Sequence, residues 1–343
     1  MQKFIYRYRP SSKYAINAFL ENKTYAVNAN LLNDFLDCSI PYNKDLLRKK
    51  LLKSKKARNY FIFNLYRKNI KRDDFSSIDE YFIEAERAES IGNIEIEDAF
   101  NIPKIDKIIF EDVNDIIEEF RNLFGVVCFS KTPDNPIMWS HYASDSKGFL
   151  IAYHYEALLR DITEGIEKHY KNPLERLVFG LFDITYDIPL DYNAFIYKIY
   201  LYKLSNEATY RKLSIETLFS KIIKTEASAI LLRNILLNKK REWSYEREVR
   251  LIVPIEHSFT YNIDDSLKDE DKYYDVGSIF PAFICFGENM ELTDKAALAL
   301  YAKINKKTLL CVQQRKHLID NGVIDFPLIK PDDVLKNIWE NKI

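Results

Sequence analysis

The sequence predicts an α+β protein, a sheet core elaborated by many helices, on three observations. Runs of strand length recur from end to end: Phe4-Ile5-Tyr6-Arg7-Tyr8-Arg9, Val126-Val127-Cys128-Phe129, Phe149-Leu150-Ile151-Ala152-Tyr153 and Val249-Arg250-Leu251-Ile252-Val253. Between them lie helical segments, the clearest a stripe of Leu218, Ile222, Ile223, Ala227, Ile230, Leu231 and Leu236. Eight glycines in 343 residues leave no Walker-type or dinucleotide Gly-rich loop of the kind found in doubly wound nucleotide-binding folds.

In the first run the side chains alternate, so Phe4, Tyr6 and Tyr8 share one face and Ile5, Arg7 and Arg9 the other, and Pro10 ends it. Ser11-Ser12 offers an N-cap for a helix carrying Ala15, Ile16, Phe19 and Leu20, and Tyr25-Ala26-Val27 is a second strand. Asn33-Asp34 reads as a turn before Phe35-Leu36-Asp37-Cys38, its side chains bonding to nearby backbone. From Lys44 to Arg72 the chain is basic but keeps Leu46, Leu47, Leu51, Phe61, Phe63 and Leu65, and residues 73–100 are acidic. We read one domain, residues 1–343, with a helical insertion at 44–110 whose opposite charges pair with one another. A helix over Val113–Phe124 then enters the central strand.

That strand ends at Ser130. A polar elbow leads to Pro136, well placed as the first residue of a helix bearing Trp139, His141 and Tyr142, and Gly148 precedes the next strand. Residues 154–183 read as helical, 184–188 as a strand and 191–237 as helical. Lys239, Lys240 and Arg241 follow where a helix dipole favours cations. Trp243 to Pro254 reads as a turn running into a strand, along which Glu246, Glu248 and Arg250 stand two apart. A strand over 279–287, a helix over Asp294–Lys303, a strand over 309–312 and a polar tail complete the chain.

Net charge is −1, so no global field draws the chain to nucleic acid or a membrane. Cys38, Cys128, Cys285 and Cys311 form no close pair, which fits unpaired thiols in a reducing compartment better than disulfides or zinc. Neither a signal core at the N-terminus nor a run approaching the ~20 apolar residues of a span is present, so the expectation is a cytoplasmic protein without metal.

Four pieces in order resemble the bacterial family called domain of unknown function 2971: Tyr6-Arg7-Tyr8-Arg9; Asn33-Asp34-Phe35 with Asp37-Cys38, where Leu36 and a missing proline depart from the family pattern; Cys128-Phe129-Ser130 with Met138-Trp139-Ser140-His141-Tyr142-Ala143 and Gly148; and Trp243-Ser244-Tyr245-Glu246-Arg247-Glu248-Val249-Arg250 with Ile284-Cys285-Phe286-Gly287. An aromatic-plus-Arg first strand, a strand ending in Ser before a Tyr-bearing helix, and a late Glu-x-Glu also resemble the three-part signature of ADP-ribosyltransferases. That resemblance implies a mostly antiparallel, split β-sheet core and an NAD-consuming enzyme, transferring ADP-ribose to a macromolecule or hydrolysing NAD as a toxin or anti-phage defence effector. It further implies that Tyr6 and Arg7 hold NAD, that Ser130 and Tyr142 shape the nicotinamide pocket, and that Glu246 or Glu248 stabilises the cationic ribose.

The residues themselves leave alternatives open. Glu246, Glu248 and Arg250 share one face if the strand is extended throughout, and Arg250 would keep a close carboxylate ionised; an exposed face of alternating charges is as good a reading. Arg7, and Arg9 less so, suits bidentate phosphate contact, or protects a sheet edge. Trp139 and Tyr142 could wall a flat ring, although Trp139 alone reads best as a core anchor, and His141 is a candidate general base without a triad. The expected partners are NAD and a protein or nucleic-acid target, with a regulatory protein as a further candidate. The alternative is a non-catalytic effector or sensor that binds a nucleotide signal or nucleic acid through Arg7 and the basic insertion.

Overall fold

Alternation in Phe4–Arg9, the cap at Ser12 and Pro136 at the first position of its helix set the local structure as the sequence predicts, and the computed structural model shows what they build. It describes residues 3–32, 34, 37–38, 40–66, 102–188, 192–206, 213–255, 273–311 and 326–340. In chain order the elements begin β1 (Phe4–Arg9), α1 (Lys13–Leu20), β2 (Lys23–Asn28), α2 (Lys44–Leu52), α3 (Lys55–Tyr66), α4 (Ile102–Arg121), β3 (Phe124–Ser130) and α5 (Pro136–Tyr142). They continue with β4 (Phe149–His154), α6 (Tyr155–His169), α7 (Pro173–Arg176), β5 (Gly180–Asp183), β6 (Thr185–Tyr186), α8 (Asn193–Asn206), α9 (Ile215–Thr217) and α10 (Glu226–Leu237). The rest are β7 (Asn238–Lys239), β8 (Glu248–Pro254), β9 (Tyr273–Ser278), β10 (Phe283–Phe286), α11 (Leu292–Ile304), β11 (Thr308–Cys311), β12 (Leu328–Ile329) and α12 (Pro331–Glu340).

The expected strands at 4–9, 126–129, 149–153 and 249–253 are present. The segment 154–183 is not all helical, because it breaks at Asn172-Pro173 and ends in β5. The polar tail holds β12 and α12, and residues 241–246 form a 3-10 turn. Asn33, Phe35, Leu36 and the acidic block 73–100 lie outside the described residues.

The chain divides into two compact units, one of residues 1–38, 124–188 and 229–343, the other of residues 39–123 and 189–228. In the first unit the described strands form a ten-stranded, mixed and largely antiparallel sheet in which β3 forks. One edge of β3 pairs with β8 along its whole length, Phe124↔Pro254 to Ser130↔Glu248. Its other edge pairs with β2 near the start, at Val27↔Val126, and with β1 at its end, Tyr6↔Ser130. From β1 the sheet continues through β4, β10, β11 and β12, with only β10 and β11 parallel.

The two sheet faces differ sharply. Ile5, Val127, Phe129, Phe149, Ile151, Val249 and Leu251 build the main core with Ile16 and Phe19 of α1, Leu158 of α6 and Leu298 of α11. On the opposite face Tyr8, Leu150 and Cys285 pack under Met138, Trp139 and Ala143. Burying such side chains stabilises by roughly 1.5–3 kcal/mol each, which fixes α5 over β1 and β4. Trp139 is the anchor: fully buried, edge-on to Tyr8 at 5.3 Å between centroids, and donating its indole N–H to the Pro133 carbonyl at 2.8 Å.

A left-handed turn closes α5. Ser144, Asp145 and Ser146 all have positive φ, a costly backbone for non-glycine residues that surrounding bonds must hold in place. Gly148 donates to the Ala143 carbonyl at 2.8 Å, Gly287 donates to Gly148, and Asn289 donates to Ser146. Gly148 passes so close to β1 that an added Cβ would lie 2.0 Å from the Arg9 carbonyl oxygen.

The second unit is helical in its described residues. Phe61, Phe120, Tyr200 and Ile105 are buried between α3, α4 and α8. Asp112 accepts from the hydroxyls of Tyr60 and Tyr200, and burial holds its carboxyl above the usual range. In the basic stretch, Arg48 grips Asp106 of α4 with two 3.0 Å bonds.

Gly148→Ala is expected to cost about 3 kcal/mol, because the clash is with backbone. Urea unfolding of both proteins measures it, and an unchanged midpoint would show that the turn relaxes.

Candidate functional site

The sheet register aligns three residues far apart in sequence. Tyr6 lies opposite Ser130, and Ser130 opposite Glu248, so their side chains emerge on one face of β1, β3 and β8. Ser130 is buried; its hydroxyl sits 2.7 Å from the Glu246 carbonyl and accepts from the Thr132 N–H at 3.1 Å. It thereby ties the end of β3 to the turn that enters β8.

That turn corrects one expectation. Glu246 does not lie on the strand with Glu248; it ends the 3-10 turn, and Arg247 then takes a left-handed conformation, φ 45°. The kink brings the two carboxylates together by another route, around Lys239. The Lys239 ammonium reaches Glu246 Oε2 at 2.5 Å, Glu248 Oε2 at 3.0 Å and Asp37 Oδ2 at 3.6 Å, and lies 5.0 Å over the Trp243 ring. Arg250 donates through Nε to Glu248 Oε1 at 2.6 Å and through Nη2 to Asp37 Oδ2 at 2.6 Å. Its Nη1 reaches the Leu236 carbonyl at 2.9 Å. All five charged side chains are buried.

Three carboxylates thus face two cations, and the surplus negative charge falls unequally. Burial would raise the Glu248 carboxyl, but Arg250 and Lys239 overcome it and hold Glu248 down at about 2. Glu246 goes the other way, raised above the ordinary range by burial although Lys239 opposes it, with Glu248 adding to the rise. Lys239 and Arg250 are both shifted upward: the surrounding carboxylates outweigh the burial that would lower them. The cluster therefore contains one fixed anion, Glu248, and one carboxylate suited to exchange a proton, Glu246.

Glu246 also faces α5. Tyr142, half-buried, donates its hydroxyl to Glu246 Oε1 at 2.5 Å. Tyr245 is next to it, and its hydroxyl lies 3.4 Å from Nδ1 of the exposed His141. Tyr142, Glu246, Glu248, Arg250 and Ser130 are brought together, and Tyr6 stands in their row. Trp139 is a core anchor, as its bland reading has it. Arg7 and Arg9 are on the opposite face of β1, where Arg7 donates to the Tyr25 carbonyl at 2.9 Å. Lys239 and Asp37 complete the cluster without having been singled out as site residues. Asp34 is buried, while its neighbour Asn33 lies outside the described residues. Among the described residues no group of His, Cys, Asp and Glu is arranged to hold a metal ion, and no helix is long and apolar enough to cross a membrane.

The stretch from α5 to β8 carries most of these contacts. Residues 138–251 match the model of a family described as Protein of unknown function (DUF2971). The DUF2971 match takes in Tyr142, Lys239, Glu246, Glu248 and Arg250, and leaves Tyr6, Asp37 and Ser130 outside it. No curated protein and no solved structure matches the chain.

Removing Arg250 would strand Asp37 and Glu248 as buried anions. Arg250→Gln is expected to lower stability by about 3–5 kcal/mol, read from denaturant unfolding, whereas a loss under about 1 kcal/mol would mean that the cluster is solvated. The pH dependence follows from the shifts. Glu248 is depressed, so its contribution is present above its ordinary value near 4.5 and is lost as pH falls through about 2. Glu246 is raised and has the opposite sign: its contribution is present at low pH and lost as pH rises through its raised value. Stability measured from pH 5 to pH 2 should fall in the wild type and fall less steeply in Glu248→Gln; equal slopes would contradict the assignment.

Proposed function

We propose that this chain is an NAD-consuming enzyme of ADP-ribosyltransferase type, acting on the sheet face that carries Tyr6, Ser130 and Glu248. What supports the reading is one observation above all: Tyr6 of an aromatic first strand, Ser130 at a strand end and Glu248 of a late Glu-x-Glu, separated by more than a hundred residues each, stand in one row across β1, β3 and β8. The meeting of β1 and β3 at the pair Tyr6↔Ser130 is consistent with a sheet that opens there.

Within this reading the two glutamates divide the work. Glu248 has both oxygens engaged by Arg250 and Lys239 and acts as a positioning residue, an anion that holds Lys239 in place. Glu246 is the catalytic residue: displacing the Tyr142 hydroxyl would offer its Oε1 to the ribose. The nicotinamide–ribose C–N bond breaks with its electron pair leaving on nicotinamide, and the cationic ribose forms beside a carboxylate in a dry, preorganised setting. Water or a macromolecular nucleophile then bonds to the anomeric carbon, and its proton passes to Glu246, whose raised affinity for a proton suits a base. Tyr6, Tyr142 and Tyr245 supply flat, half-exposed rings around that point. A toxin or defence role would follow from NAD loss or from modification of a target.

The test is nicotinamide release by the purified chain, alone and with cell extract. Glu246→Gln should lower turnover by about 100-fold or more with its unfolding midpoint little changed. Glu248→Gln should lose both turnover and stability. No release under any condition, or full release from Glu246→Gln, would overturn the assignment.

A further inference from the structure

The opposite face of the same sheet carries a second concentration of charge that the proposed reaction does not use. Arg7 and Arg9 of β1, Lys23, Thr24 and Tyr25 of β2, and Tyr153 of β4 line a small recess open to solvent. None of the residues lining it is an Asp or a Glu. Arg7 is the innermost cation, and it donates to a neutral group, the Tyr25 carbonyl. Among the described residues no carboxylate forms an ion pair with it. Burial shifts Arg7 below the ordinary arginine value, and the groups that oppose the shift are Tyr153, Cys128 and Tyr14, none of them a carboxylate. Lys23 pairs with Glu21 at 2.8 Å, at the exposed mouth. The contrast with Arg250 is instructive: there two carboxylates meet the buried guanidinium, whereas here the site has cations, hydroxyls and space.

A half-buried guanidinium without a carboxylate partner is favoured by an oxyanion seated against it, which supplies charge-assisted hydrogen bonds in a fork that fits phosphate. We propose that this recess binds a phosphate-bearing anion, free phosphate or the terminal phosphate of a small metabolite, held by Arg7 with Arg9 and Lys23. The inference stands apart from the NAD reading, because its residues and those of the Glu246 cluster emerge on opposite faces of the sheet.

Titration calorimetry on the full chain tests it at fixed ionic strength with two probes, inorganic phosphate and adenosine 5′-monophosphate, against a chloride control. Saturable binding of either probe is expected: phosphate alone would mean a recess that reads the free ion, and the nucleotide a recess that reads a phosphomonoester. Arg7→Gln should weaken binding about tenfold or more. Because that substitution also removes the bond to Tyr25, the double variant Arg9→Gln/Lys23→Gln, at partly exposed positions, is measured beside it and should also weaken binding. Glu246→Gln should leave binding unchanged. Absence of binding by both probes, equal affinity in the double variant, or loss of binding in Glu246→Gln would overturn the proposal.

Discussion

Everything around the candidate site depends on burying two cations, Arg250 and Lys239, among three carboxylates. Each charge taken from water carries a desolvation cost of several kcal/mol, offset only where the geometry is close and the remaining donors find acceptors. Arg250 meets that condition: its donors reach Glu248, Asp37, the Leu236 carbonyl and Cys38 Sγ. The cluster is also what joins distant stretches of chain. Asp37 follows β2, Lys239 ends β7, Glu246 closes the 3-10 turn, and Glu248 and Arg250 begin β8. Removing either cation leaves buried carboxylates without a counter-charge, so the cluster specifies one arrangement of four segments.

The fork in β3 then decides what lies beside that cluster. Because β8 takes one whole edge of β3, the register fixes Ser130 against Glu248, and because β1 reaches the other edge at Ser130, Tyr6 falls into the same row. Above the row, Trp139 pins α5 to the sheet through Tyr8, and the left-handed turn at 144–146 holds its end. Tyr142 is thereby aimed at Glu246. Charge pairing, sheet register and aromatic packing converge on the same few residues, which is the physical basis for placing chemistry there.

Much of this was legible in the sequence. Period-two alternation gave the correct faces for Tyr6 and Arg7, and the start of α5 was readable from Pro136 at its first position. Composition could not say how long-range pairing would sort the charges. Lys239 had an adequate local explanation at the end of a helix, and its three carboxylates come from positions 37, 246 and 248. Asp37 sat in a motif that read as a turn. Glu246 was placed on an extended strand because nothing local announces a left-handed Arg247, a conformation sequence reading assigns to glycine or asparagine. β5 was hidden because four residues after a helical stretch carry too little period to reveal a strand.

The most direct test of the account is a crystal structure of the chain with an NAD analogue whose nicotinamide–ribose bond cannot break. The account predicts the nicotinamide end over Tyr6 and Ser130, with a ribose hydroxyl bonded to Glu246 in place of the Tyr142 hydroxyl and Glu248 still held by Arg250 and Lys239. An analogue bound elsewhere, with Tyr142 still on Glu246, would contradict it and leave the buried cluster a purely structural device.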